Sequence, residues 1–153
     1  MSTDGLRHNT GLLCFLLLAR HHHIDLTLES LSHKYGIHSD RLDPFQLLRM
    51  AKDQGFKSKA HQLTWKKLFY LGNVFPLIAR LKDDRYIIVS GVRGEEATGE
   101  VVIVDPSRGN LEFVFLKKEH FTTLWAGDAF LVKKVYKVSD TQKPFGLDWF
   151  IPE

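Results

Sequence analysis

The stretch 74–92, VFPLIARLKDDRYIIVSGV, is where the hydrophobic pattern of the chain changes. Two runs rich in aliphatic and aromatic residues, 74–81 and 86–92, flank the charged segment 82–85. Such runs on either side of a short polar segment are typical of two antiparallel strands and their turn. We therefore predict that the sheet of this protein begins here.

The part of the chain before residue 74 carries start signals for helices. A helix is predicted over 11–20, capped by Asn9 or Thr10, and it should be buried because it is apolar on every side. Three further helices are predicted, each with a capping side chain and a hydrophobic staple. The caps are Thr27, Asp43 (with Pro44 after it and Gln46 as its capping-box partner) and Thr64, and Gly36 and Gly55 are predicted helix ends.

The part of the chain after residue 92 continues as strands. Strands are predicted over 101–105, 111–115 and 129–135, with a short helix over 117–124 before the last of them. Helices first and antiparallel strands afterwards predict an α+β domain and exclude a doubly wound sheet.

Composition limits the classes of protein to which the chain can belong. A length of 153 residues suits one domain, and the longest apolar run, 12–19, is too short to span a bilayer. The single cysteine, Cys14, excludes an internal disulfide and fits a reducing compartment. The net charge of +3 comes from scattered lysines and arginines, with no nucleic-acid-binding motif around them. No Gly-rich phosphate loop is present, so we expect no ATP hydrolysis by this chain.

The C-terminal stretch differs from the rest of the chain. Residues 139–144 are polar and linker-like, and residues 145–152 (FGLDWFIP) concentrate aromatic side chains. We predict a domain over 1–138 and, over 139–153, a linker or interfacial segment that leads toward a membrane, where Trp is favoured. The alternative is a tail packed on the domain.

Three segments carry the candidate site: 9–15 at the start of the buried helix, 85–92 along a strand, and 102–109 at the end of the next strand. In this order and at these separations they resemble the cysteine peptidases that remove double-glycine leaders from bacteriocins. The resemblance implies a papain-like fold, with the N-terminal helices packed on an antiparallel sheet. In the active family a helix N-terminus favours the cysteine thiolate, a histidine acts as base, and an aspartate orients the imidazole.

By this resemblance Thr10 occupies the cysteine position, Arg85 the histidine position and Asp105 the aspartate position, and Asp4 stands where the family has its oxyanion-hole glutamine. A guanidinium cannot serve as general base, and an internal threonine needs a base to become a nucleophile. We therefore expect no catalytic residue, only the vestigial positions Thr10, Arg85 and Asp105. We further expect Arg85 and Asp105 to form an ion pair.

The chain also resembles RTX-type type I secretion ABC transporters. It does so in the loss of the cysteine and histidine, in the helix 11–20, and in the segments 124–127 and 145–152. The resemblance implies a non-catalytic domain at the cytoplasmic face of the bacterial inner membrane, which tethers an unfolded or partly folded RTX toxin or adhesin. Its other partners would be the transmembrane and ATPase domains of the same transporter, which would be a homodimer although the isolated domain would be a monomer. The predicted substrate-binding residues are Thr10, Ala79, Arg85 and Tyr86.

Other interpretations stay open at this point. Cys14 matches the family's second, structural cysteine, but a thiol peptidase that uses Cys14, with His8 or another histidine as base, is the enzyme alternative. Basic nucleic-acid binding is a third class, testable by salt-sensitive retention. The run His21-His22-His23 lacks the i, i+4 spacing of a helical metal site, so no metal and no cofactor is predicted.

Overall fold

The computed structural model of the protein describes residues 8–72, 74–108 and 111–135. The described helices are α1 (Thr10–His21), α2 (Leu28–Tyr35), α3 (Pro44–Asp53), α4 (Trp65–Tyr70) and α5 (Lys118–Leu124). The strands are β1 (Phe56–Gln62), β2 (Leu77–Leu81), β3 (Tyr86–Arg93), β4 (Glu100–Val104), β5 (Phe113–Lys117) and β6 (Trp125–Lys134). They form one antiparallel sheet in the order β1-β6-β2-β3-β4-β5. The predicted α+β class is confirmed.

Side-chain caps start the helices where the sequence predicted them. Asn9 Oδ1 accepts a hydrogen bond from the Leu12 amide at 3.1 Å, so Asn9 and not Thr10 is the cap of α1. Thr27, Asp43 and Thr64 likewise accept from backbone amides at the starts of α2, α3 and α4. These bonds satisfy amides that have no partner within the helix.

The predicted capping box at α3 is only half formed. Asp43 Oδ1 accepts from the Phe45 amide at 2.8 Å, but the Gln46 amide group donates to the Tyr35 carbonyl at 3.4 Å instead of returning to Asp43. Gln46 thereby links α3 to the end of α2. Gly55 follows the helix end by two residues, because α3 stops at Asp53.

The sheet separates two apolar layers. On one face the helices α1 to α3 bury residues such as Phe15, Leu47 and Met50 against strand residues that include Ile88 and Phe130. On the other face α4 and α5 form a second cluster with side chains of β2, β3 and β4. Its members include Trp65, Leu68, Leu77, Val89, Val101, Phe121 and Trp125. A buried side chain of this size contributes about 1.5–3 kcal/mol of transfer free energy, so both layers stabilise the sheet.

One strand was not predicted, and the starts of two others were predicted at the wrong residues. β1 was not predicted, because its sequence FKSKAHQ buries only Phe56 and depends on pairing with β6. β2 begins at Leu77 and not at residue 74, since Pro76 has no amide hydrogen to donate to a neighbouring strand. β6 begins at Trp125, four residues before the predicted start, and opens directly from α5.

The predicted domain boundary at residue 138 and the segment 139–153 lie outside the described residues. Within 8–72, 74–108 and 111–135, no helix has the length and apolar character required to cross a bilayer.

Candidate functional site

Three elements meet at the candidate site. Thr10 is the first residue of α1, Arg85 immediately precedes β3, and Asp105 immediately follows β4. β3 and β4 are antiparallel, and Ile88 is paired with Val104. The start of β3 and the end of β4 therefore lie at the same end of the strands. The three segments that the sequence singled out are therefore adjacent in space.

The inner half of the site is a buried structural contact. Thr10 is 3% exposed, and its hydroxyl accepts a hydrogen bond from the Tyr86 amide at 2.7 Å. The Tyr86 side chain is 1% exposed, and its hydroxyl donates to the Leu42 carbonyl at 2.7 Å. Gly11 permits this approach, since a Cβ there would lie 2.7 Å from Leu42 Cδ2 and 3.0 Å from Tyr86 Cδ1. Burial also raises the pKa of the Tyr86 phenol far above its ordinary value.

The outer half of the site is a network of charges. Arg85 Nη1 lies 3.1 Å from Asp105 Oδ2, so the predicted ion pair is confirmed. The same nitrogen donates to the Ser107 hydroxyl at 3.0 Å, while Arg85 Nε lies 2.9 Å from Asp83 Oδ2. Asp105 Oδ1 also accepts from the Ser107 amide and hydroxyl, at 2.9 and 2.7 Å.

This network keeps the guanidinium charged. Burial acts to lower the pKa of Arg85, but the hydrogen bond that Arg85 donates to Asp83 and the charge of Asp105 outweigh it and raise the pKa above its ordinary value. A group that stays protonated cannot accept a proton from a nucleophile. Arg85 is therefore suited to hold an anion and unsuited to general-base chemistry.

Cys14 lies one turn of α1 beyond Thr10 and is fully buried in the helical layer. Burial, and secondarily the negative charge of Asp105, raises the pKa of its thiol well above the ordinary value of 9.0. Since the thiolate is the nucleophilic form, a thiol held neutral inside the core is poorly suited to attack a substrate.

The predicted substrate-binding residues do not form one exposed patch. Thr10, Arg85 and Tyr86 cluster as expected, but only Arg85 presents a substantial surface, with 36% of its side chain exposed. Ala79 is fully buried on β2, paired with Ile87 and Ala129 on the neighbouring strands. Direct contact with a partner is therefore possible at Arg85 in this conformation and is blocked at the other three side chains.

The sequence also drew attention to Asp4 and to several histidines. Asp4 lies outside the described residues, whereas His8 is described and exposed. The rings of His21 and His22 lie edge to face at 5.1 Å, and burial, together with the neighbouring charges of His21, Lys134 and His23, lowers the pKa of His22. In the described part of the chain, no group of three or more His, Cys, Asp or Glu residues is placed to hold a metal ion.

An apolar surface beside the site was missed by sequence reasoning. Phe113 and Phe115 lie on one face of β5 and are 62% and 45% exposed, and Leu111 before them is 56% exposed. Where this face meets α1 there is a groove of about 340 Å³ whose lining includes Leu17 and Val104. Both faces of β5 carry apolar residues, so the sequence alone could not tell which face is exposed.

Comparison with known proteins identifies the family. The model described as "Peptidase C39 family" matches residues 5–137. The alpha-hemolysin translocation ATP-binding protein HlyB of Escherichia coli O157:H7 is 25% identical over 145 residues, which is 95% of this chain and 20% of that protein. The cyclolysin secretion/processing ATP-binding protein CyaB of Bordetella pertussis Tohama I is 26% identical over 144 residues, 94% of this chain and 19% of that protein. The chain thus spans about a fifth of the length of the curated relatives it matches.

Solved structures agree with this assignment at the level of fold. A double glycine motif protease from an AMS/PCAT transporter, solved with its leader peptide, superposes with a TM-score of 0.72 at 19% identity, covering 88% of this chain and 89% of that one. The N-terminal peptidase C39 like domain of the toxin secretion ATP-binding protein from Vibrio parahaemolyticus gives a TM-score of 0.67 at 21% identity, covering 88% and 100%. The predicted papain-like fold is confirmed, and the family match over residues 5–137 shows that this chain belongs to the peptidase C39 family.

Proposed function

We propose that this chain is a non-catalytic domain of a type I secretion ABC exporter, which tethers its RTX toxin or adhesin without breaking a bond. The observation that carries the proposal is the Arg85–Asp105 ion pair at the positions of the family's base and orienting aspartate. A permanent cation there cannot take the proton of a nucleophile. The Thr10 hydroxyl at the cysteine position is buried and already accepts a hydrogen bond from the backbone.

The relatives support the exporter context. HlyB is named as a translocation ATP-binding protein and CyaB as a secretion/processing ATP-binding protein, and each is about five times as long as this chain. By analogy, the domain would act at the cytoplasmic face of the bacterial inner membrane, beside the transmembrane and ATPase domains of its own polypeptide. Two copies of the domain would then be present in a homodimeric exporter, while the isolated domain would be monomeric.

A partner polypeptide would meet two kinds of surface next to the vestigial site. Arg85 offers a partly exposed guanidinium, and the face of β5 offers Phe113 and Phe115. Val104 lines the apolar groove and directly precedes Asp105, so the charged and apolar surfaces are continuous. An exported chain that is not yet folded exposes apolar side chains, which this face could cover.

The proposal is tested by NMR titration of the labelled chain with its operon-linked RTX protein, held unfolded. We expect shifts around Arg85, Ser107 and Phe113. The Phe113→Ser variant should bind at least about fivefold more weakly, because an aromatic contact that is buried on binding contributes more than about 1 kcal/mol. Phe45→Ser is the matched control, since Phe45 is 80% exposed on α3 and lies outside the groove. Equal loss of affinity in both variants would contradict the assigned surface.

The enzyme alternative is an active thiol peptidase that uses Cys14, and it is kept because the fold is shared with a double glycine motif protease. Alkylation with iodoacetamide, together with a cleavage assay on a double-glycine leader peptide, distinguishes the two functions. We expect slow labelling of native Cys14, fast labelling after denaturation, and no cleavage, because the thiol is buried and its pKa is raised. Rapid native labelling that abolishes a measurable cleavage activity would establish the peptidase.

A further inference from the structure

The outer edge of the sheet at β1 is strongly basic. Lys57 on β1 is directly paired with Lys133 on β6, and Lys59 follows two residues along β1, so the three side chains share one face. All three are exposed. On the other side of the same edge, α3 contributes Arg49 and Lys52, which are also exposed. We call these five residues the basic edge.

The basic edge makes no short ion pair within the described part of the chain. The ion pairs among residues 8–72, 74–108 and 111–135 involve none of its five members. Like charges that face each other across two strands are destabilising, and Lys57 opposite Lys133 is such a pair. An anionic partner would offset the repulsion between Lys57 and Lys133, because it would attract both side chains.

An apolar depression lies within the basic edge. Leu48, Phe56 and Val135 line it together with the cations Arg49, Lys52 and Lys57, and its volume is about 540 Å³. Val135 is 46% exposed. A surface that combines cations with a shallow apolar depression matches the interface of a bilayer, where anionic headgroups lie above acyl chains.

The path of the chain points to the same partner. β6 ends at Lys134 beside β1, so the described chain ends at the basic edge, and residues 136–153 follow it in the sequence. In the proposed exporter, that continuation leads to the transmembrane part. The face next to the exit would therefore be held close to the cytoplasmic leaflet, within reach of an electrostatic interaction that decays over about 10 Å at 0.1 M salt.

We infer that the basic edge docks on anionic lipid headgroups and orients the domain against the membrane surface, an inference that rests on the proposed function. Docking here would leave the vestigial site free, because β6 and β2 separate β1 from Arg85, at the start of β3, and from β5. The domain could then hold a substrate and the bilayer at the same time.

The test is co-sedimentation of the full 153-residue chain with vesicles of phosphatidylcholine and phosphatidylglycerol, compared with vesicles of phosphatidylcholine alone. The edge variant is Lys57→Gln/Lys59→Gln/Lys133→Gln. The matched control is Lys66→Gln/Lys67→Gln/Lys118→Gln, which removes the same charge from exposed positions on α4 and α5. We expect the wild type and the control to bind the anionic vesicles, and the edge variant to bind about a hundredfold more weakly, since each lysine near such a surface contributes a factor of about five.

The inference is overturned if the edge variant binds as tightly as the control, or if phosphatidylcholine vesicles are bound equally well, which would indicate insertion of the aromatic segment 145–152. It is also overturned if the chain binds polyglutamate through the same lysines but binds no vesicle, because the partner would then be an acidic polypeptide. Circular dichroism checks that each variant is folded. NMR titration of the edge variant with the RTX protein separates the two proposals, because substrate shifts should persist when vesicle binding is lost.

Discussion

Arg85 and Tyr86 are adjacent in the sequence, yet they belong to two regions with opposite properties. Tyr86 lies in the inner region, where its amide and hydroxyl join α1 and the Leu42 carbonyl in a buried contact. Arg85 lies in the outer region, where it joins Asp83, Asp105 and Ser107 at the surface. The difference teaches that one candidate site can combine two properties, because its buried half stabilises the fold while its charged half lies at the surface.

The strongest test of this comparison is Tyr86→Ala. Removing a buried aromatic side chain should lower the free energy of unfolding by about 3–5 kcal/mol. Urea denaturation measures the loss. Tyr70→Ala is the control, because Tyr70 is 69% exposed and its substitution should change stability by no more than about 0.5 kcal/mol. Similar losses in both variants would show that the inner region is not a structural anchor.

A finer test of the inner region is Thr10→Val. The substitution keeps the shape of the side chain and leaves the buried Tyr86 amide without its acceptor, so we expect a loss of about 1–3 kcal/mol. Thr10→Ser retains the hydroxyl and should recover most of that stability in the same urea experiment. If valine is tolerated as well as serine, the hydrogen bond does not stabilise the domain.

The outer region should respond least. Asp105→Asn weakens the ion pair with Arg85, whose side chain is 36% exposed, so we expect a loss of about 0.5–1 kcal/mol and a small fall in melting temperature. A double-mutant cycle with Arg85→Gln isolates the coupling between the two side chains. An unchanged melting temperature and zero coupling would mean that this pair contributes nothing to stability.

Local rules predicted the helices of this domain better than its strands. Asn9, Thr27 and Thr64 cap their helices through contacts three residues away, which a single sequence reveals. β1 was not predicted because this edge strand, which is rich in lysine, is stabilised by its pairing with β6, more than sixty residues later in the chain. Pairing between segments so far apart in the chain produces no pattern within residues 56–62 that would indicate a strand.

The sequence predicted which residues lie close together at the candidate site, but it predicted only in part which of their side chains are exposed. The prediction that Thr10, Arg85 and Asp105 lie close together is correct, and the expected ion pair between Arg85 and Asp105 is present. The burial of Tyr86 and Ala79 was not foreseen. Both lie on central strands that are apolar on each face, and such strands lack the alternation that would tell inward from outward side chains.

The strand order has a consequence for how the domain is made. β6 is the last described strand in the chain, but it lies between β1 and β2 and is the only described neighbour of β1. During synthesis the hairpin of β2 and β3 can form early, whereas β1 stays unpaired until residues 125–134 have left the ribosome. At about 5–20 residues per second, several seconds separate the emergence of β1 from that of its partner. The sheet therefore closes only after β6 has emerged, and the lysines of β1 disfavour pairing of the exposed strand with another chain until then.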